Sequence, residues 1–569
     1  VYVWIFLIVF GCSTLLNTYR ELITQTSEIG MSLLLPEAQE QLRKQEQAAL
    51  ELLDSLQYVK VPIVGLFDAG KTSLINSLTA HKGLLPVDII PKTSIPCEIY
   101  AAVNEDEQRA EVFRGKECVY EGSIEGYGDF DKLPGDVGKV YVDSDFVRNT
   151  QKRGLILVDM PGTDSGIREH NDAIVRYVQQ GTLFAQLISA KNGALSSSDI
   201  AFIKELKQYG LHTAVFISKT DLVTTEGLED IREYINSQYQ DVMETTETVG
   251  QVCAANDDVT AFINWINTID IEAVNKKRFS PIITSYVAAM RLAIITRIQL
   301  LKDDMNFGDI DSKIAELEGQ LCQVNEMLSV SIENADTPEK STQDILDWVE
   351  NDMRLNSRLV AESILSNSVT QVNETIMSIV RPALLNAFAE ERKQFVEAMR
   401  TELDAVTRRL LEGIEIPSDL IDDMISENAD IIVGSLQLLA ERLSQSGNPW
   451  GATVGLVLRL LAEWVPDILR EIFGGQERAI RKIEQKFIGP FTSQILNSLY
   501  SIVLQQVKEQ QEHILNGVRL KYAGRVAQIK EVLQNLHEQR VQGENDFSQQ
   551  IAILDIAISQ LDSIDGSLR

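Results

Sequence analysis

The segment from 59 to 80 joins an apolar run, a glycine-containing turn and a helical stretch, and it constrains the fold more than any other feature. The run KVPIVGLF is rich in β-branched residues, as buried strands are. The turn at 65–72 reads GLFDAGKT and matches every fixed position of the pattern GxxxxGK(S/T). Backbone N–H groups of such a loop, with the N-terminus of the helix that follows, surround a phosphate group. The sequence therefore predicts a phosphate-binding loop between a strand and a helix.

Three more apolar runs resemble the first: GLILVDMPG at 154–162, LFAQLISA at 183–190 and HTAVFISKTD at 212–221. Segments with helical spacing, such as DIAFIKELKQYG, separate them. Strands that alternate with helices indicate a mostly parallel sheet with helices on both faces. We place this α/β P-loop head at 59–285.

The flanks of the head are helical in pattern. Residues 1–58 predict an N-terminal neck helix, 286–427 a neck and trunk, and 476–569 returning trunk and neck helices. These long stretches with few breakers favour an elongated helical bundle as a stalk, with a compact helical domain as the alternative. Between them, 428–475 has two apolar stretches around the turn SGNP, which predicts a helical hairpin.

Charge and cysteine content restrict the partners. The chain has 83 acidic against 52 basic residues, a net charge of −31. Such a charge repels polyphosphates and anionic lipids at long range, which disfavours nucleic-acid binding and requires apolar insertion or a local basic patch for membrane contact. The five cysteines are scattered without metal-ligand spacing, which is typical of reduced thiols in a cytoplasmic protein.

The first residues, VYVWIFLIVFGCSTLL, carry an apolar run at 1–10 that is shorter than the roughly 20 residues needed to span a bilayer. Three interpretations stay open: a segment buried in the bundle, the end of a longer membrane or signal segment, and a lipoprotein-like cleavage site before Cys12. The last two would imply export or lipid anchoring.

Residues suited to magnesium and phosphate follow the loop in order. Lys71 can reach the β- and γ-phosphates, and Thr72 can ligate Mg²⁺. Asp159 ends a predicted strand in the motif DMPG, where its carboxylate can hold the metal's water shell and the Gly162 N–H can meet a γ-phosphate. Thr93, between these motifs, can supply a second hydroxyl to Mg²⁺. The other predicted nucleotide contacts of the loop are Gly65, Phe67, Asp68, Ala69, Gly70 and Ser73.

A base-reading motif, SKTD, follows the strand AVFIS. The Asp221 carboxylate can accept from the ring N–H and the exocyclic amine of guanine, and the stem of Lys219 can cover the base. Adenine has no matching pair of donors, so the motif favours GTP and GDP over ATP. Ser218 occupies the first motif position. Cys253 and Ala254 resemble a loop that backs the guanine ring, although a plain strand-to-helix turn fits equally well.

Together, the loop followed by LINSL, the spacing to LLPVDIIPKT and DMPG, and the long helical flanks resemble the bacterial dynamin-like proteins. The resemblance is motif-specific over 60–270 and architectural elsewhere, and the length is that of the LeoA type. It implies a GTPase that uses Mg²⁺, with catalytic roles for Lys71, Thr93 and Gly162. It also implies head dimerisation or higher assembly, a neck and trunk, and a membrane-facing tip at 428–475 in a protein peripheral to the membrane.

Two positions depart from the family's usual polar pair. Phe67 cannot orient a water molecule, and Asp68 is expected to bring a carboxylate close to the phosphates. We expect that repulsion to weaken nucleotide binding, unless a cation or a partner's basic residue neutralises it. The alternative is that Asp68 faces solvent or caps a neighbouring N–H. Ser218 replaces the usual Asn or Thr and keeps a hydroxyl.

Two functions compete at this point. The first is a GTP-hydrolysing enzyme that binds or remodels membranes. The second is a GTP-binding scaffold with slow or absent hydrolysis that gates assembly, which the departures at Phe67 and Asp68 favour. An ordinary signalling GTPase is disfavoured because the helical flanks are longer than the head.

Overall fold

The computed structural model describes the head and most of the helical flanks. The described residues are 13–80, 85, 95–123, 135–161, 177, 183–208, 211–302, 310, 312–319, 322, 337–366, 369–410, 476–485, 489–542 and 547–568. The apolar run 1–10, Thr93, Gly162 and the predicted hairpin at 428–475 lie outside them.

Among the described residues, the helices α1 (Ser13–Gly30) and α2 (Pro36–Ser55) precede the sheet of the head. In the described part of the chain the strands are β1 (Val59–Val64), β2 (Cys97–Ala101), β3 (Arg109–Arg114), β4 (Glu117–Gly122), β5 (Val137–Val142), β6 (Leu155–Asp159), β7 (Phe184–Ser189), β8 (Thr213–Ser218) and β9 (Gly250–Gln251). They lie in the order β4-β3-β5-β2-β6-β1-β7-β8-β9. From β6 to β9 neighbouring strands are parallel, whereas β2 runs antiparallel to β6 and β3 antiparallel to β5.

Both faces of the central strands are buried because successive side chains point to opposite sides. In β8, Phe216 packs into one core and its neighbours Val215 and Ile217 pack into another. The helices of the head are α3 (Lys71–Leu78), α4 (Asp145–Lys152), α5 (Ser197–Gln208), α6 (Thr225–Met243) and α7 (Thr260–Thr268). Helices α3, α4 and α7 cover the first face, and α5 and α6 cover the other. The predicted α/β head with a mostly parallel sheet is confirmed.

Five strands, β2 to β5 and the two-residue β9, do not correspond to predicted apolar runs. In β3 and β5 buried and half-buried residues alternate. Such strands lie toward one edge of the sheet, where one face stays partly exposed and the continuous apolar run of a central strand is absent.

The stalk is helical, as predicted. Its helices are α8 (Ile271–Lys302), α9 (Pro338–Leu355), α10 (Ser357–Ser366), α11 (Val369–Leu410), α12 (Gln476–Ile483), α13 (Gly489–Val541) and α14 (Ser548–Leu568). Helices α1, α2, α8, α14 and the second half of α13 share one core, which we call the neck. Helices α9 to α12 and the first half of α13 share another, which we call the trunk. The predicted head boundary at 285 falls inside α8, whose residues from Phe279 onward belong to the neck core.

One helix, α13, connects the two bundles. It contains 53 residues, which corresponds to a length of about 80 Å. Phe491 and Val507 lie in the trunk core, and Ile529 and Leu536 lie in the neck core. The stalk is therefore elongated.

Helix α8 is the one described helix with the length and apolar composition to cross a membrane. Its side chains Phe279, Ile283 and Ile294 are fully buried in the neck core. The same composition thus serves here to pack the neck core.

The head also contacts the trunk through α5 and α11. Glu205 of α5 and Arg381 of α11 form an ion pair whose two side chains are 0% exposed. The Arg381 Nε donates to Glu205 Oε1 at 2.9 Å, and its Nη2 donates to Oε2 at 2.8 Å. Nothing in the local sequence pattern predicts this contact between residues 176 positions apart.

A candidate guanine-nucleotide site in the head

The loop between β1 and α3 is built on two glycines with positive φ. Gly65 has φ +150°, and a Cβ there would lie 2.5 Å from the carbonyl oxygen of Leu187 on β7. Gly70 has φ +83° and immediately precedes the first residue of α3. Only glycine adopts both conformations without strain or clash. The loop therefore turns tightly enough to present the N-terminus of α3 to a ligand.

Lys71, the first residue of α3, reaches back into this loop. Its Nζ donates to the carbonyl oxygens of Gly65 and Leu66, each at 2.9 Å, and the residue is 5% exposed. Its buried positive charge and the N–H groups at the start of α3 both favour binding of an anion in the loop.

Thr72 and Asp159 meet beside the loop. The Thr72 hydroxyl donates to Asp159 Oδ2 at 2.9 Å, whereas Asp159 Oδ1 is buried and has no hydrogen-bond partner among the described residues. Burial raises the pKa of Asp159 to about 6, although the Lys71 charge and the Thr72 hydrogen bond both lower it. The Thr72 hydroxyl and the Asp159 carboxylate, whose Oδ1 is buried and unsatisfied, form a hard oxygen donor set that fits Mg²⁺.

The base motif SKTD is attached to the phosphate loop. The Ser218 hydroxyl, 4% exposed, donates to the carbonyl oxygen of Ala69 at 2.6 Å and approaches that of Ile188 at 3.3 Å. The next residue, Lys219, has φ +53°, and its Cε would lie 3.7 Å from a Cβ placed on Gly70. The lysine stem thus runs over the loop, in the position where it can cover a base.

Asp221 lies two residues beyond Lys219, in a 3₁₀ turn at Thr220–Leu222, and is exposed. The thiol of Cys253, itself 3% exposed, donates to Asp221 Oδ1 at 3.3 Å. The Cys253 N–H donates to the carbonyl oxygen of Asp258 at 2.7 Å, which closes the turn that contains Ala254. This turn therefore touches the predicted base-reading carboxylate, and the role of Cys253 and Ala254 behind the guanine ring stays a prediction.

The Asp68 carboxylate forms an ion pair with the Lys219 ammonium. The neutralising cation, expected from solution or from a partner chain, thus comes from the same chain. The pair joins residues 151 positions apart. No local pattern could have predicted it.

Part of the head matches a known protein family. Residues 61–220 match the model of the dynamin family. This part of the head is therefore similar to the dynamin family. No curated protein matches the chain by sequence.

Several solved structures match the chain at low identity. One is a bacterial dynamin pair whose oligomer senses and tethers membranes over long range, at 14% identity and a TM-score of 0.35, with 96% of this chain and 82% of that chain covered. Another is the translation elongation factor SelB from Methanococcus maripaludis with a GTP analogue, at 16% identity and a TM-score of 0.22, with 37% and 33% covered. A third is Era from Aquifex aeolicus with GDP and AlF4⁻, at 12% identity and a TM-score of 0.22, with 43% and 68% covered.

The family match confirms the predicted dynamin resemblance, and the LeoA size class stays a prediction. Within the dynamin-type head, the residues brought together at the carboxyl ends of β1, β6 and β8 are Gly65, Asp68, Ala69, Gly70, Lys71, Thr72, Asp159, Ser218, Lys219 and Asp221. Ser73 is half-buried in the first turn of α3. The backbone of Phe67 begins a 3₁₀ turn in the loop. Thr93 and Gly162 lie outside the described residues, so their roles stay predictions.

Proposed function

We propose that this chain binds GTP and GDP with Mg²⁺ in the dynamin-type head, hydrolyses GTP, and couples the nucleotide cycle to assembly and membrane binding. One observation carries the proposal: the phosphate loop, the Thr72–Asp159 pair and the SKTD motif converge at the carboxyl ends of neighbouring strands. The carboxyl edge of a doubly wound sheet is where such folds bind nucleotides.

Guanine specificity falls to Asp221. Its carboxylate accepts from two donors of the base, and the Cys253 thiol at 3.3 Å from Oδ1 helps to orient it. The hydroxyl of Ser218 keeps the base motif and the phosphate loop in register through the carbonyl oxygen of Ala69. The same hydrogen bond therefore links recognition of the base to the position of the phosphates.

Hydrolysis would depend on the phosphate loop and on two predicted residues, Thr93 and Gly162, that lie outside the described residues. Lys71 offsets charge on the β- and γ-phosphates, and Thr72 and Asp159 would hold Mg²⁺ together with Thr93. The bound ion would supply charge neutralisation of the phosphates. The Gly162 N–H would bind the γ-phosphate. Phe67 offers no polar group at a position where the family usually has one.

Membrane binding and assembly are proposed from the dynamin-type head and the helical stalk. The segment 428–475 carries Trp450 and Trp464 beside Leu-rich stretches and several charges, a balance that suits shallow insertion at the interface between water and lipid. A bundle end with a buried apolar face is the alternative for this segment. Head dimerisation across the nucleotide would couple hydrolysis to movement of the stalk, with the protein peripheral to the membrane.

Calorimetry with GTP, GDP, ATP and xanthosine triphosphate tests nucleotide binding. The unmodified protein should prefer GTP to ATP. Asp221→Asn should lose two charge-assisted hydrogen bonds, which weakens GTP binding about 30- to 1000-fold, and should shift preference toward the xanthine nucleotide. Asp230→Asn, the same charge change at an exposed position of α6, is the control and should bind as the unmodified protein does. Equal affinity for ATP and GTP would refute the proposal.

The scaffold with slow or absent hydrolysis is the second candidate, favoured by Phe67 in the phosphate loop. Phosphate release should be followed with and without liposomes, and liposome sedimentation should be measured in parallel. Turnover that rises on liposomes supports the membrane-coupled enzyme. Tight GTP binding with no turnover in either condition supports the scaffold, and failure to sediment with any liposome excludes the membrane role.

A further inference from the structure

The pair between Asp68 and Lys219 connects two motifs that each contact the nucleotide. Asp68 belongs to the phosphate loop, and Lys219 belongs to the base motif. Their side chains are 70% and 28% exposed, so the lysine is the more enclosed partner. The pair lies at the entrance of the site rather than beneath it.

Three contacts fix Lys219 along its length. Its backbone holds a left-handed φ of +53° between Ser218, which is tied to the loop, and the 3₁₀ turn Thr220–Leu222. The stem passes over Gly70. The ammonium is tied to Asp68. A lysine side chain has several freely rotating bonds, so fixing both ends of the stem removes disorder that nucleotide binding would otherwise have to remove.

The same pair changes the electrostatics of the loop. An unpaired carboxylate at Asp68 would repel a polyphosphate. Paired with the Lys219 ammonium, it forms a group of zero net charge, and the remaining cation of the loop is the buried Lys71. The carboxylate then acts on the lysine stem more than on the phosphates.

We infer that Asp68 is a positioning residue of the nucleotide site, which acts through Lys219 by holding its stem ready to cover the base. The inference rests on the proposed guanine-nucleotide function. It assigns Asp68 to base recognition and reverses the expectation that removal of this carboxylate tightens binding.

A double-mutant cycle tests this role. Asp68→Asn removes the charge at nearly constant shape, and Lys219→Met keeps an unbranched stem without the ammonium. Dissociation constants should be measured by calorimetry for GDP, for GTP and for inorganic triphosphate, which has no base, all with Mg²⁺. Asp68→Asn should weaken GDP and GTP binding about two- to fivefold, the effect of a partly exposed ion pair. Triphosphate binding should stay unchanged or tighten.

The remaining variants and conditions distinguish a positioning role of Asp68 from a general loss of structure. The double variant should bind GDP no more weakly than Lys219→Met alone, because Asp68 then has no partner to hold. Asp68→Glu keeps the charge and should restore most of the affinity. Raising the salt concentration should bring the unmodified protein toward Asp68→Asn, since the exposed pair is screened. Asp230→Asn on α6 should change none of these values.

Three outcomes would contradict the positioning role of Asp68, and one of them would also contradict the proposed function. Equal tightening of GDP, GTP and triphosphate in Asp68→Asn would show that the carboxylate faces the phosphates, and the inference would be wrong. Additive single effects in the double variant would also overturn it, while a preserved preference for GTP over ATP would leave the proposed function standing. Loss of that preference in the unmodified protein would refute both.

Discussion

Two ion pairs connect distant parts of this chain, and they differ in burial. Arg381 and Glu205 join trunk to head with both side chains 0% exposed, whereas Lys219 and Asp68 join two loops with side chains 28% and 70% exposed. The chemistry of the two pairs is the same in kind. Burial makes the first a fixed structural contact and leaves the second open to competition from water, salt and ligand.

The buried pair satisfies the conditions that low dielectric imposes. The guanidinium binds the carboxylate through two hydrogen bonds, and a third N–H bond reaches the Ser378 hydroxyl at 3.3 Å. Glu374 places a second carboxylate 3.8 Å from the Arg381 Nη1. Removal of one partner leaves an uncompensated charge where water cannot reach it, so the pair constrains how the head sits on the trunk.

The largest effect is expected for Arg381→Ala. The substitution leaves the Glu205 carboxylate buried without its bidentate partner, which should destabilise the contact between α5 and α11 by about 3–5 kcal/mol. Hydrogen exchange of the amides of these two helices measures the free energy of opening. Arg354→Ala is the matched control, since Arg354 pairs with Glu350 on α9 with exposures of 76% and 43% and should contribute less than about 1 kcal/mol.

A double replacement makes the comparison sharper. Arg381→Met combined with Glu205→Leu removes both charges at similar volume and should recover most of the stability that Arg381→Ala loses. Equal destabilisation by Arg381→Ala and Arg354→Ala would show that burial does not set the strength of these pairs.

The parts of the molecule that could be predicted from sequence are those that carry local sequence signals. The phosphate loop, Asp159 and the SKTD motif each stand at the end of an apolar run. Such runs predict strands, and the ends of these strands meet at one edge of the sheet. In β3 and β5 buried residues alternate with less buried ones, and such strands give a weaker sequence signal than a continuous apolar run.

The contacts that could not be predicted join residues that are far apart in the sequence. Nothing near Arg381 or Asp68 in the sequence indicates a partner 176 or 151 positions away. The predicted end of the head, at 285, falls inside α8, which runs from Ile271 to Lys302 as one helix.

A buried neutral hydrogen bond at the nucleotide site should have an intermediate effect. Ser218→Ala removes the donor to the carbonyl oxygen of Ala69, which stabilises the loop by about 1 kcal/mol, so nucleotide affinity should fall about fivefold. Calorimetry with GDP measures it, and Ser218→Thr should retain the affinity. Ser189→Ala on β7 is the control because its buried hydroxyl has no hydrogen-bond partner among the described residues. A larger loss in Ser189→Ala than in Ser218→Ala would contradict the assigned role.

The smallest effect is expected at Cys253, whose thiol is a weak donor to Asp221 at 3.3 Å. Cys253→Ser replaces it with a stronger donor of smaller size and should leave the preference for GTP over ATP within about twofold of the unmodified protein. Cys253→Val removes the donor and should reduce that preference about two- to fivefold through a less well oriented carboxylate. Competition binding of GTP against ATP measures both, with exposed Cys118→Val on β4 as the control. An unchanged preference in Cys253→Val would mean that Asp221 is oriented without the thiol.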